Sequence, residues 1–434
     1  MPLCKHELNE VHNLLFCRLK KWQKSSDVHY GRDVASIPLK NVSRPKGDVV
    51  ASYTGPNAGL TCLELDTPSA VPEITETEIA GSCNWNDPSE FAYGISLTLY
   101  EEDPTRMKTE IINGLSVTKP TIMGEPLADV FGILARENYC IMAIADGVNW
   151  GKKSRLAARC AVHAAMEHVV DNLSRIDLAP NSHTVSQILH ESVTEKAQKL
   201  ILSKNATLTT LSVAMVCEME KPGEFGLFVC AVGDSPVFVY CPHNHKVLEV
   251  TVGCHSHDGA RDMRLAGGVL GPSFGSRPDL SNLTLAYMPV YEGDIIFAVS
   301  DGVSDNFTGS VMKTISPEES PETRRGGKNG RTAPLKPCCE QVAHLTATLN
   351  KHSDYVGHHL SAQTVSACLM NHSVEVTEPK RELRTYCLRN DIDIRKEARK
   401  DPDFAERVNN TPGKLDHATV VAFQVGYHPS SSSS

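Results

Sequence analysis

The chain has 434 residues and a formal net charge of −9, with 41% hydrophobic and 22% charged residues. These proportions suit a folded protein with ample core and exclude a largely disordered chain. The acidic balance argues against a general nucleic-acid binder, which needs a basic face, and no apolar run reaches the roughly 18 residues of a membrane span.

Residues 1–80 are expected to form an N-terminal extension. Leu8, Val11, Leu15, Leu19 and Trp22 recur at helical spacing and predict an amphipathic helix over about residues 6–22. Glu7, Glu10 and Asp27 argue against a mitochondrial presequence, which is poor in acids. The expected role of this helix is docking on the main domain or on a protein partner. Residues 25–80, rich in Pro, Ser, Thr and Gly, read as a loosely ordered linker.

From about residue 90 to 426 the pattern is that of a folded domain. Short apolar runs predict strands over 93–100, 139–145, 210–217, 225–232, 237–240, 283–288, 295–300 and 419–425. Leu156, Cys160, Ala161, Ala164, Ala165 and Val169 form a helical stripe. Further helices are expected over 185–202 and 339–349. There is no regular strand–helix–strand alternation, so the expected class is α+β, with antiparallel sheets covered by helices on their outer faces. Residues 313–337 read as an exposed Pro- and Gly-rich loop. Residues 375–414, which mix both charge signs, read as a solvated helical insertion, and residues 427–434 as a flexible tail.

The fourteen cysteines are scattered and the N-terminus lacks the basic flank and apolar run of a secretory signal. The thiols are therefore expected to be reduced and mostly buried, in the cytoplasm or nucleus. Cys241, His243, His245, Cys254, His255 and His257 have zinc-ligand chemistry but not structural-zinc spacing, and a His-rich hairpin is the simpler reading. Lys152, Lys153 and Arg155 read either as a solvated helix start or as a patch that steers phosphorylated substrates.

The informative feature is where the aspartates stand. Asp146 directly follows the strand 139–145, Asp234 follows 225–232, Asp301 follows 295–300, and Asp416 leads into 419–425. Strand ends hold side chains more precisely than free loops do. Gly147 and Gly302 follow two of these acids, allowing a sharp turn and an exposed carbonyl oxygen. Carboxylates, a carbonyl and water make a hard-oxygen set suited to magnesium or manganese. Such a cation would also relieve the repulsion of crowded acids.

In order along the chain stand Ala145-Asp146-Gly147-Val148, Thr209-Thr210-Leu211, Val232-Gly233-Asp234-Ser235 and Gly267-Gly268-Val269-Leu270-Gly271. They are followed by Gly293-Asp294-Ile295-Ile296, then by 300–306 carrying Asp301 and Asp305, then by Asp416-His417-Ala418-Thr419-Val420. This series resembles the metal-dependent serine/threonine phosphatases of the protein phosphatase 2C (PPM) family, over roughly residues 90–425. The resemblance implies a four-layer α-β-β-α sandwich with two central antiparallel sheets. It also implies two magnesium or manganese ions, and a third, weaker site. Asp146 would bridge the two ions, the Gly147 carbonyl would serve one, and Asp301 and Asp416 would serve the other. Asp234, Asp301 and Asp305 match the weaker site. The implied reaction is hydrolysis of phosphoserine or phosphothreonine in proteins by a metal-activated bridging water, with Asp146, Asp301 and Asp416 central to catalysis.

The chain departs from the family before the first Asp-Gly. Asp129 matches the second acid of the family's acidic element, but Ala128 stands in place of the usual Glu and Gly124 where the phosphate-binding Arg is often found. Arg106, Lys108 and Arg136 are the nearby basic candidates for that missing role. Two functions therefore stand at this level: an active phosphatase acting on a phosphoprotein, or a pseudophosphatase that keeps the fold and serves as a protein-binding scaffold.

Overall fold

The computed structural model describes residues 28–47, 49–55, 88–112, 115–251, 266–314, 337–356 and 360–428. In chain order the strands begin with β1 (His29–Gly31), β2 (Val49–Gly55), β3 (Ala92–Thr98), β4 (Glu102–Ile112) and β5 (Leu115–Ile122). Next come β6 (Val130–Arg136), β7 (Tyr139–Ala145), β8 (Leu211–Glu218), β9 (Glu224–Val232), β10 (Val237–Cys241) and β11 (Lys246–Glu249). The last are β12 (Val269–Phe274), β13 (Arg277–Asp279), β14 (Thr284–Tyr291), β15 (Ile295–Val299) and β16 (His417–Gln424).

Seven strands form one antiparallel sheet in the order β1-β14-β9-β8-β7-β6-β2. Five form a second, also antiparallel, in the order β11-β10-β15-β16-β3. The pleat sorts their side chains into layers, because successive residues of a strand face opposite sides. On β7, Cys140, Met142 and Ile144 join β15's Ile296 and Ala298 and β16's Val421 and Phe423 in a core between the sheets. Tyr139, Ile141, Ala143 and Ala145 instead meet the helices Lys152–Asp171 and Ser182–Glu191. On the far side Phe297, Val299, Val420 and Ala422 meet Leu345 and Leu349 of the helix Pro337–Val356 and Val365 and Leu369 of Ala362–Arg389. The result is the four-layer α-β-β-α sandwich with two central antiparallel sheets.

Every strand expected from the sequence is present, within a few residues at each end. The expected stripe of the first long helix is also on its buried face, with Cys160, Ala161, Ala165 and Val169 fully buried. The expected helix over 185–202 is present as three consecutive helical pieces, Ser182–Glu191, Ser192–Ala197 and Gln198–Ser203. Among the described residues, Cys140, Cys160, Cys217, Cys230, Cys241, Cys368 and Cys387 are buried and form no disulfide.

Three expectations are corrected. The stretch read as linker supplies β1 and β2, which close the two edges of the large sheet; β1 has only three residues, and β2 mixes Ser52, Thr54 and Gly55 with its apolar residues. The stretch read as a solvated insertion begins inside the helix Ala362–Arg389, whose first half is buried under the second sheet while its charges lie further along. The tail begins later than expected, since His428 is buried and stacks on Phe91 with ring centroids 3.9 Å apart. The strand β6 is an addition: Gly132 interrupts its apolar run, and a methyl group there would meet Val162 Cγ1 at 3.1 Å, so the glycine lets the first long helix lie close. The predicted helix at 6–22, the loop at 315–336, residues 254–257 and residues 429–434 lie outside the described residues.

Candidate metal centre

The strand registers bring the acids together. Val130 pairs with Ala145, so Asp129 at the start of β6 lies beside Asp146 at the end of β7. Leu211 pairs with Val232, placing the turn that carries Asp234 at the same edge. In the other sheet Val299 pairs with Val420, so Asp301 after β15 lies beside Asp416 before β16. Antiparallel pairing thus delivers strand starts and strand ends to one rim of the sandwich, and all the expected acids with them.

Asp146 is held by its backbone. Its N–H donates to Thr210 Oγ1 at 2.9 Å, and its carbonyl accepts from the Thr210 N–H and the Thr209 hydroxyl, each at 2.8 Å. Gly147 must be glycine, because a Cβ there would lie 2.5 Å from the Ser154 carbonyl oxygen at the start of the first long helix. Gly233, before Asp234, has φ +103, the left-handed region that glycine tolerates best. Its N–H and carbonyl are both bound by the Asn282 side chain, at 3.0 and 2.9 Å.

The carboxylates are crowded: Asp129 and Asp305 are buried, and Asp146, Asp301 and Asp416 are half-buried. Burial, then the charges of Asp129, Asp301, Asp416 and Asp234, push the Asp146 carboxyl well above the usual range. Asp129 has no exposed surface and its carboxyl is pushed up to about 7, by burial first and also by Asp416 and Asp301. The Ser300 and Thr419 hydroxyls favour its charged form, yet no hydrogen bond of good geometry reaches either carboxylate oxygen. Asp416 is pushed up to about 6 by burial and Asp301, against the pull of Lys414.

Lys414 is the residue that sequence reading passed over. Its Nζ lies 2.5 Å from Asp301 Oδ2, 2.9 Å from Asp305 Oδ2 and 3.1 Å from Asp416 Oδ2. Burial opposes its charge, but the three carboxylates outweigh burial and hold the ammonium protonated well beyond an ordinary lysine. The signal was present as a lysine two positions before the last aspartate, but nothing local says which acids it meets.

The two halves of the rim fit a divalent cation differently. Around Asp146 the donors are carboxylate and carbonyl oxygens, and the buried Asp129 oxygens lack a geometric partner. Magnesium needs only one or two carboxylates, with water completing its shell. Around Asp301, Asp305 and Asp416 an ammonium is already in place. Among the described residues, no group of three or more His, Cys, Asp or Glu side chains converges closely enough to hold a metal ion.

A family model for protein phosphatase 2C matches residues 121–320, which include Asp146, Asp234, Asp301 and Asp305. A Drosophila melanogaster protein, "PP2C-like domain-containing protein CG9801", is 38% identical over 265 residues. Over these residues the chain is similar to protein phosphatase 2C. The alignment with the fly relative covers 59% of this chain, and the chain spans 35% of that relative's length. Among solved structures, the phosphatase domain and regulatory fragment of SpoIIE from Bacillus subtilis matches at 13% identity and a TM-score of 0.35, covering 74% of this chain and 70% of that one. The catalytic domain of the serine/threonine phosphatase PstP with two manganese ions matches at 11% identity and a TM-score of 0.31, covering 77% and 99%.

The departures of this chain from the protein phosphatase 2C pattern have structural causes. Gly124 has φ +83, and a Cβ there would lie 2.5 Å from Tyr100 Cδ2 and 3.3 Å from His417 Nε2. The place of the family's Arg is closed by an aromatic wall. His417, kept neutral by burial, donates from Nε2 to the Gly124 carbonyl at 2.8 Å, and its Nδ1 accepts the Ala128 N–H at 3.4 Å. Ala128 is fully buried, and a Cβ on Gly147 would meet its methyl at 3.1 Å, so this corner is packed for small residues. Glu125 pairs with Lys108 at 2.5 Å, and Arg106 faces Asp103 at 3.5 Å. Arg136 bonds the Gly47 carbonyl at the far end of β6, about 20 Å of strand away from Asp129.

Proposed function

We propose that this protein is a metal-dependent phosphatase of phosphoserine and phosphothreonine in proteins, with magnesium or manganese held at Asp146. The observation that carries this reading is the meeting of aspartates from both sheets on one rim, with Asp146 feeling the charge of four others. When bound, the metal would lower the pKa of a water and neutralise charge on the phosphoryl oxygens.

Asp146 and the Gly147 carbonyl are the assigned ligands, with Asp129 buried behind them. Asp301 and Asp416, with Asp234 and Asp305 further out, line the remainder of the rim. The Thr209 and Thr210 contacts fix the Asp146 backbone, so its carboxylate enters the reaction already oriented. Orientation of this kind is a large part of phosphoryl-transfer catalysis.

A second reading is a pseudophosphatase, in which the same domain binds protein partners without turnover. Two observations favour it. The space for an Arg at Gly124 is filled by Tyr100, and a lysine stands among Asp301, Asp305 and Asp416. Residues 1–80 are the first candidate for contacts with such a partner.

The deciding experiment is phosphate release from a phosphothreonine peptide by the purified chain, with and without millimolar manganese, beside Asp301→Ala. Manganese-dependent release that disappears in the variant is the expected result. No release above the variant, from folded protein that still binds manganese, makes the scaffold reading the function.

A further inference from the structure

The position of Lys414 is built, not incidental. Its backbone N–H donates to Asn306 Oδ1 at 2.8 Å, and its carbonyl accepts from Asn306 Nδ2 at 3.0 Å. Asn306 is fully buried and also bonds the Gly302 carbonyl at 2.7 Å, which ties it to the helical turn carrying Asp301. One residue earlier, the Gly413 N–H donates to the Val311 carbonyl at 3.0 Å, and the Gly413 carbonyl accepts from Lys380 Nζ. The lysine stem therefore leaves a backbone clamped on both sides.

The ammonium is equally well defined. It has three N–H donors and meets three carboxylate oxygens, on Asp301, Asp305 and Asp416. Its side chain is only 22% exposed. A flexible surface lysine would have neither the clamped backbone nor the matched acceptors, and pays rotamer entropy for every such contact. Magnesium binds oxygen at about 2.1 Å. An ion on any of the three bound oxygens would sit within a few ångströms of the ammonium, where two positive charges in a poorly solvated site repel strongly.

We propose that Lys414 is a resident cation of the centre, its ammonium standing between Asp301, Asp305 and Asp416 in the place of a divalent ion. The chain accordingly binds one metal ion fewer than the same site would without the lysine. Metal binding is confined to the Asp146 side of the rim. This rests on the reading of that side as a metal site, but not on turnover.

The test counts manganese ions bound per chain by equilibrium dialysis against manganese chloride alone, for the native chain, Lys414→Ser, Lys414→Arg and Asp305→Asn. Lys414→Ser is expected to bind one ion more than the native chain. In chelator it should melt at a lower temperature, and added manganese should recover most of the loss. Lys414→Arg, which keeps the charge, should bind the native number. Asp305→Asn, which in the native chain removes only an acceptor of the lysine, should leave the ion count unchanged and half-saturation within about threefold.

An equal count for the native chain and Lys414→Ser overturns the proposal, since it shows that metal displaces the ammonium or never competes with it. Should Lys414→Ser not fold even in manganese, Asp305→Asn decides. Loss of a bound ion there places metal, not lysine, on Asp305. Phosphate release is not read in this experiment. An inactive chain with the expected counts would end the phosphatase reading alone, and an active chain with equal counts would end only this one.

Discussion

The two halves of the acidic rim are made from the same residue at equivalent strand ends, yet they are balanced differently. Asp129 and Asp146 meet across β6 and β7 with burial and like charge driving both carboxyls upward. Asp301, Asp305 and Asp416 surround a lysine ammonium. One half is short of positive charge and the other carries its own. An aspartate after a strand thus announces a rim position, while the chemistry open to it depends on what the rest of the chain sends to the same place.

The largest effect is expected at the uncompensated half. Asp146→Asn should lower manganese-dependent phosphate release by at least about a hundredfold. In chelator the same change should raise the melting temperature, because it removes a half-buried carboxylate from among like charges. Lower stability in chelator would show that Asp146 has a cationic partner after all.

The next effect is on pH dependence. The Asp129 carboxyl, pushed up to about 7, keeps a proton that the unfolded chain releases near pH 4. Folding stability of the metal-free protein should therefore fall as pH rises from about 4 to 7, by up to about 4 kcal/mol from this residue. Asp129→Asn should flatten that part of the profile in urea unfolding. A variant with the native slope would locate the effect elsewhere.

Restoring the family's arginine should fail. Gly124→Arg meets the Tyr100 ring and the positive φ together, and should cost about 1–3 kcal/mol of stability without raising phosphate release. A gain in release would mean that Tyr100 can move aside and that the mouth has room for the group. The smallest effect is expected from exposed cations. Lys152 and Lys153 are exposed at the start of the first long helix. Replacing both with Ala should change the KM for a phosphopeptide by less than about threefold, and only at low salt.

Much of the fold was legible in the residues because it rests on local pattern. Apolar runs marked eight strands of the two sheets, and the acids at their ends marked the rim. Where a local signal was weak, the elements emerged only in three dimensions. Gly132 broke the run of β6, and the charged far half of Ala362–Arg389 hid a buried first half. The edge strands β1 and β2 owe their conformation to pairing with β14 and β6.

By itself the sequence determined which side chains end which strands, since alternation and turn residues act over a few positions. The order of motifs carried the resemblance to protein phosphatase 2C. Only the tertiary structure decided the electrical state of the rim. Lys414 meets Asp301 across 113 residues of chain, and the Tyr100 ring blocks Gly124 from another strand's end. Charge and steric exclusion act through space, so partners distant in sequence leave no periodic trace along it.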